Sequence, residues 1–177
     1  DIKSGEELPL KRNVLFTIKE GPQRLVGSMA IKGNTVFDEE KLKKQMLTSV
    51  SGRFGGGAFV PETLTEDLKA IESLYLKKGY RNISVTEEVK YSDVNKKGGE
   101  IADVILVVHE GVQTRVASIA FSGLSVLTKS EALAAVALKA GEPFRQQMVQ
   151  NDENTLSELI SERGYPHISI TGRVRFD

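Results

Sequence analysis

Along this chain the apolar positions change period from two to about four and back again, and the change happens twice. Leu25, Gly27, Met29 and Ile31 alternate with Val26, Ser28, Ala30 and Lys32, which predicts a strand closed by Gly33-Asn34. Asp38 then precedes a helical pattern with Leu42 and Met46 one turn apart, and its carboxylate suits the exposed N–H groups of a first turn. A second helix is predicted from Pro61, where a missing N–H costs nothing, with Leu64, Leu68, Ile71 and Tyr75 on one face. Lys77-Lys78-Gly79 supplies a favourable charge and a left-handed stop. Ile83, Val85, Val89 and Tyr91 then alternate with Ser84, Thr86, Glu88 and Lys90, a strand with one dry and one wet face. Glu87 interrupts it, which predicts a bulge or an edge there. The polar turn Ser92 to Glu100 leads back into Ile101 to His109, and the unbroken apolar run Val104 to Val108 predicts the central strand of the sheet.

The order recurs downstream. Glu20-Gly21 and Gly33 match Glu110-Gly111 and Gly123 at an offset of 90, and Leu74 to Tyr80 matches Leu159 to Tyr165 at an offset of 85. The difference falls in Gly52 to Gly57, read as a loop inserted in the first copy. In the second copy Thr128 with Glu131 forms a capping box, Leu133, Val136 and Ala137 follow, and Leu156, Leu159 and Ile160 line the next helix before Arg163-Gly164. Ile168, Ile170, Val174 and Phe176 repeat the alternating strand, with Gly172 where Glu87 stood. Each unit is thus strand, helix, helix, strand, strand. The expected division is residues 1–21 as the last strand of a preceding unit, 22–111 as a complete unit, and 112–177 as a unit without its last strand. Val14 to Ile18 matches Val104 to Val108 and is the strand assigned to the unit before, so the 177 residues are expected to be a piece of a longer array.

Composition narrows the function. Twenty-four basic and 24 acidic residues cancel, so the broad positive field of a nonspecific nucleic-acid binder is absent. No nucleic-acid partner is expected. Without cysteine there is no thiolate nucleophile, thiolate metal site or disulfide framework. His109 and His167, the two histidines, lack a second ligand at metal spacing, so no metal site is expected. Gly52-Arg53-Phe54-Gly55-Gly56-Gly57 lacks the Gly-Lys-Ser/Thr ending of a phosphate loop. No catalytic constellation can be singled out, and the expectation is that the chain is not an enzyme. Phe59, aligned with Phe144, is expected in the core.

Strand, helix, helix, strand, strand, with Glu20-Gly21-Pro22, Gly33-Asn34, Gly79-Tyr80, Glu110-Gly111, Gly123, Gly141-Glu142-Pro143-Phe144 and Gly164-Tyr165 in order, resembles the polypeptide-transport-associated (POTRA) domain. The likeness is nearest to the BamA-like outer-membrane assembly proteins of Gram-negative bacteria, and it covers residues 9–177. The resemblance implies an α+β fold of tandem units, each with two helices on one face of a three-stranded mixed sheet, and no cofactor. It implies a periplasmic region of an outer-membrane barrel assembly or insertion protein. The implied partners are unfolded outer-membrane proteins, accessory assembly lipoproteins and a carboxy-terminal membrane barrel. A two-partner secretion exporter and a division-site scaffold are alternative homes for the same module.

In that family the module binds polypeptide by adding a strand to a sheet edge, largely through backbone hydrogen bonds worth about 0.5–1.5 kcal/mol each net. The candidate edges here are Ile83, Ser84, Val85, Thr86, Glu87, Glu88 and Val89 up to Tyr91 in the first unit. In the second they are Ile168, Ser169, Ile170, Thr171, Gly172, Arg173 and Val174 up to Phe176. Glu87, Glu88, Lys90, Arg173 and Arg175 are placed to tune or discourage pairing. Glu20, Gly21, Glu110 and Gly111 are expected to be inter-unit turns that fix the angle between neighbours. Because the second unit lacks its central strand, residues 14–18 of another molecule are expected to fill the gap by strand exchange between chains.

Overall fold

A computed structural model describes residues 14–52, 57–92 and 99–176. The loop tip with Phe54 and most of the turn after Ser92 lie outside the described residues.

The first unit folds as the periodicity predicts. Strand β1 (Arg24–Lys32) leads to helix α1 (Glu39–Lys43), helix α2 (Pro61–Leu76), strand β2 (Ser84–Ser92) and strand β3 (Glu100–His109). The sheet order is β1-β3-β2, with β3 parallel to β1 and antiparallel to β2. The last strand is therefore central, and its alternate residues Ala102, Val104, Leu106 and Val108 are buried against Leu64, Leu68, Ile71 and Tyr75 of α2 in one hydrophobic core. Ile105 and Val107 point to the other face and are only half-buried, so one face of the sheet is packed on helices. Phe59 joins this core and Phe144 is buried in the second unit. Asp38 caps α1 by accepting from the Lys41 N–H at 2.7 Å, and Gly79 ends α2 at φ 85°.

Two expectations are corrected within this unit, the alternation of β1 and the length of α1, and a third is narrowed. The alternation of β1 breaks at Gly27, where the register shifts between Val26 and Ser28. Val26, Met29 and Ile31 are the buried set as a result, and a Cβ on Gly27 would lie 2.3 Å from the Ile101 side chain. Of the bulge or edge expected at Glu87 the structure has the edge: β2 is an outer strand, and it pairs with β3 in continuous register from Ser84 to Ser92, without a bulge. Helix α1 stops at Lys43, so Met46 lies beyond it.

The second unit has helix α3 (Lys129–Ala135), with the Thr128–Glu131 capping box, and helix α4 (Gln146–Glu162). Here the expected strands do not form. Val14–Ile18, Thr114–Gly123 and Ile168–Phe176 contain no paired strand. A strand is held by its neighbour, and among the described residues no segment pairs in the second unit as β3 pairs in the first. Residues 168–176 rest on α4 instead, with the Gly172 N–H donating to Glu153.

The repeat extends to individual hydrogen bonds. Val26 N–H donates to Gly57 O at 2.7 Å and Val116 N–H to Glu142 O at 2.9 Å; Ser51 N–H donates to Val26 O at 2.9 Å and Gly141 N–H to Val116 O at 2.7 Å. Gly141 and Glu142 are adjacent, whereas their counterparts Ser51 and Gly57 are not, which puts the insertion at residues 52–56.

Candidate functional site

Strand β2 is the open edge of the first sheet. β1 is the other outer strand, but its outer side is occupied where it begins. Arg24 O accepts from Phe59 N–H at 2.9 Å, Val26 bonds to Ser51 and Gly57, and Leu25 bridges to Ala58. Farther along, the Lys43 ammonium donates to Met29 O at 3.1 Å. No strand lies beyond β2 among the described residues. The Val85 N–H turns away from β3 and donates to Glu72 Oε1 on α2 at 3.1 Å. By the alternation of an antiparallel ladder, Val85, Glu87, Val89 and Tyr91 then present their backbone groups outward, while Ser84, Thr86, Glu88 and Lys90 serve β3. Glu72 thus stoppers one end of the edge. Val85 is buried, Val89 half-buried, and Glu87, Glu88 and Tyr91 are exposed. Tyr91 is steadied by an edge-on contact with Phe59 at 5.9 Å and by the Arg24 guanidinium 5.0 Å from its ring centre.

The Glu-Gly pairs behave differently from each other. Glu110 turns back into its own unit, where Oε1 accepts from the N–H groups of Thr35 (2.6 Å) and Val36 (2.8 Å) and from the Tyr75 hydroxyl (2.8 Å). Oε2 accepts from the Thr35 hydroxyl. Burial opposes ionisation of Glu110, but these hydrogen bonds outweigh it and hold the carboxyl below the ordinary range. Burial, and then the bond to Glu110, push the Tyr75 hydroxyl up, so it stays a donor. Glu110 therefore pins the end of β3 to the β1–α1 loop and to α2. Gly111 takes φ 67° directly after it. Glu20 and Gly21 are exposed.

The tie between units is the backbone that follows. Thr114 N–H donates to Gly79 O at 2.8 Å and Thr114 O accepts from Phe144 N–H at 2.9 Å, so one residue is bonded to both units. Gln113 Nε2 reaches Lys78 O at 2.8 Å and Arg115 Nη1 reaches Gly141 O at 2.8 Å. Across the same junction the Arg81 guanidinium lies 3.8 Å from the Phe176 ring centre and 6.0 Å from that of Phe144.

One pair of residues escaped the sequence reading. Asp67 accepts from the N–H groups of Leu47 (2.7 Å) and Thr48 (2.9 Å), and Asp152 from those of Ala137 (2.6 Å) and Leu138 (3.0 Å). Both carboxylates are buried. Their signal was a carboxylate on the apolar face of the same helix in both copies. Among the described residues no group of three or more His, Cys, Asp or Glu is placed to hold a metal ion. Among the same residues no helix is long and apolar enough to cross a membrane.

Residues 25–111 and 114–177 each match the POTRA family, described as a surface antigen variable number repeat. A Treponema pallidum protein, provisionally named an outer membrane protein assembly factor, is 29% identical over 86% of this chain and 18% of its own length. The outer membrane protein assembly factor BamA of Nitratidesulfovibrio vulgaris is 26% identical over 92% of this chain and 21% of its own. The chain spans about a fifth of the length of these curated relatives. The crystal structure of Haemophilus influenzae BamA POTRA3-5 superposes with a TM-score of 0.51 at 25% identity, over 81% of this chain and 57% of that one.

Proposed function

The chain belongs to the POTRA family, and on that premise we propose that it is periplasmic and serves an outer-membrane protein assembly factor by adding unfolded client strands to the outer edge of β2. The observation that carries this reading is the unequal pair of edges: the start of β1 is covered by Ser51 and by Gly57, Ala58 and Phe59, whereas among the described residues no strand covers β2. A client strand would meet the outward backbone of Glu87, Val89 and Tyr91 and pair almost independently of its own side chains. That suits a receptor for many clients, and Glu87, Glu88 and Lys90 keep the edge from pairing with copies of itself. Accessory lipoproteins would dock on the remaining surface, and a membrane barrel would receive the client.

The test is amide exchange with and without a peptide from an unfolded barrel protein in excess. Slowed exchange at alternate residues Glu87, Val89 and Tyr91 is the expected result. Unchanged exchange along all of β2 would sink the reading and leave a spacer role for the unit.

A further inference from the structure

The outer edge of β2 has a fixed end, and we propose that Glu72 sets it: the side chain is a stop that confines a client to the rungs from Glu87 to Tyr91 and so fixes the length and register of the extended segment that the edge accepts. This rests on the reading that clients pair with β2. Glu72 leaves α2 one turn after the buried Leu68 and one turn before the exposed Leu76, on the flank that overlooks the start of β2. It is half-buried there, and its Oε1 accepts from the Val85 N–H at 3.1 Å. That N–H is the donor of the first outward rung.

An arriving strand offers a carbonyl oxygen to each outward N–H. At Val85 it meets a carboxylate oxygen already in that place, acceptor against acceptor. Displacing Glu72 would exchange a bond to a carboxylate for one to a neutral carbonyl, and the first kind is roughly twice as strong. The Glu72 bond is also intramolecular, so it re-forms without the loss of translational freedom that a client carries. A client therefore gains nothing by pressing on past Glu87. Beyond the stop, Glu87, Val89 and Tyr91 each keep an N–H and a C=O facing outward. A strand of about five residues, about 17 Å long, spans these rungs. The substrate class is thus a short extended segment, and the surplus of a longer client leaves at the Tyr91 end.

The stop is not a requirement of the shared plan. Asp67 and Asp152 occupy equivalent positions and gather equivalent N–H groups in both units, which marks them as part of the fold. At the offset of 85, Glu72 corresponds to Ser157, whose side chain is two carbons shorter. In the second unit the acid sits one turn earlier instead: Glu153, in the place of Leu68, accepts from the N–H of Gly172, in the place of Glu87. One turn back along a helix is about 6 Å, and two residues onward along an extended segment is about 7 Å. The two shifts match, so the position of the acid along the helix selects which N–H is closed.

Amide exchange and nuclear Overhauser contacts on the isotope-labelled 177-residue chain, with an end-blocked nine-residue peptide from a strand of an outer-membrane barrel protein, test this. In the parent, peptide contacts and slowed exchange are expected at Glu87, Val89 and Tyr91 and to stop short of Val85. In Glu72→Ala the Val85 N–H should exchange faster without peptide. With peptide it should gain contacts and slow at least tenfold, and the peptide should bind about tenfold tighter. A five-residue peptide, whose affinity should change by less than about threefold, shows that the edge of the variant is intact. Glu72→Ser should behave as Glu72→Ala does, and Glu72→Gln, whose amide oxygen can still accept, should keep the stop. Peptide contacts at Val85 in the parent, or none there in Glu72→Ala and Glu72→Ser while Glu87 to Tyr91 stay paired, overturn the length setting and leave client pairing intact. A peptide that pairs with β2 in none of these proteins overturns both.

Discussion

At the scale of the residue, carboxylates that gather backbone N–H groups hold this fold together. Glu110 accepts two such groups and two hydroxyls, and Glu110→Ala should cost about 2–3 kcal/mol in urea unfolding because partly buried donors lose their acceptor. Its folded pKa is depressed, so its contribution is complete above the unfolded value near about 4.3. It is lost as pH falls through the lower folded value, because the unfolded chain binds the proton more readily. Glu110→Gln should therefore flatten the acid limb of the stability–pH curve. Glu131 is brought down to about 2 by the Arg163 guanidinium and the Thr128 N–H and hydroxyl, so its contribution is given up between the unfolded carboxylate value near about 4.3 and that lower value, and Glu131→Gln should flatten the acid limb across that interval as well. Asp67→Asn sets an amide donor against an N–H donor, and unfolding should show a loss of about 1–3 kcal/mol.

At the scale of the element, the open side of β2 is the feature with consequences. Its residues use alternate N–H groups for β3 and for solvent, so a proline at an outward position removes a client bond and no ladder bond. Glu87→Pro should abolish peptide-induced protection at Val89 and Tyr91 while circular dichroism stays that of the parent, and retained protection would move the binding edge elsewhere. The insertion makes a second element-scale prediction. The second unit crosses the same gap with Gly141 at φ 85° followed directly by Glu142. Deleting residues 52–56 and changing Ser51 to Gly should reproduce that short crossing, with a stability change within about 1 kcal/mol.

Over the whole molecule, the two units share a plan and differ in completeness. The first has a three-stranded sheet and, among the described residues, the second has its helices without one. Amide exchange across residues 117–122 and 168–174 should outpace that of β1 and β3 by at least tenfold, since these segments lack ladder bonds. Thermal unfolding should show the second unit melting first. A single transition with uniform protection would mean that the Thr114 tie and the Arg81 stack on Phe176 couple the units into one cooperative body.

Element types, their order and their repetition were legible in the sequence because each depends on interactions within a few residues. Asp38 and the Thr128–Glu131 pair cap helices three residues away, Gly79 and Gly164 stop helices by their own backbone freedom, and the apolar periods declare which face is dry. The central place of β3 was legible too, because the unbroken apolar run Val104 to Val108 marks the strand of the unit with least affinity for solvent. Tertiary structure decided whatever needed a distant partner. The register of β1 shifts at Gly27, where Ile101 leaves no room for a side chain, and the start of β1 is covered because Ser51 and Gly57 to Phe59 return to it. Glu110 finds Thr35 across 75 positions of chain. The strand-like pattern of Ile168 to Phe176 makes no strand because a ladder bond needs two backbones, and one sequence pattern supplies only one of them.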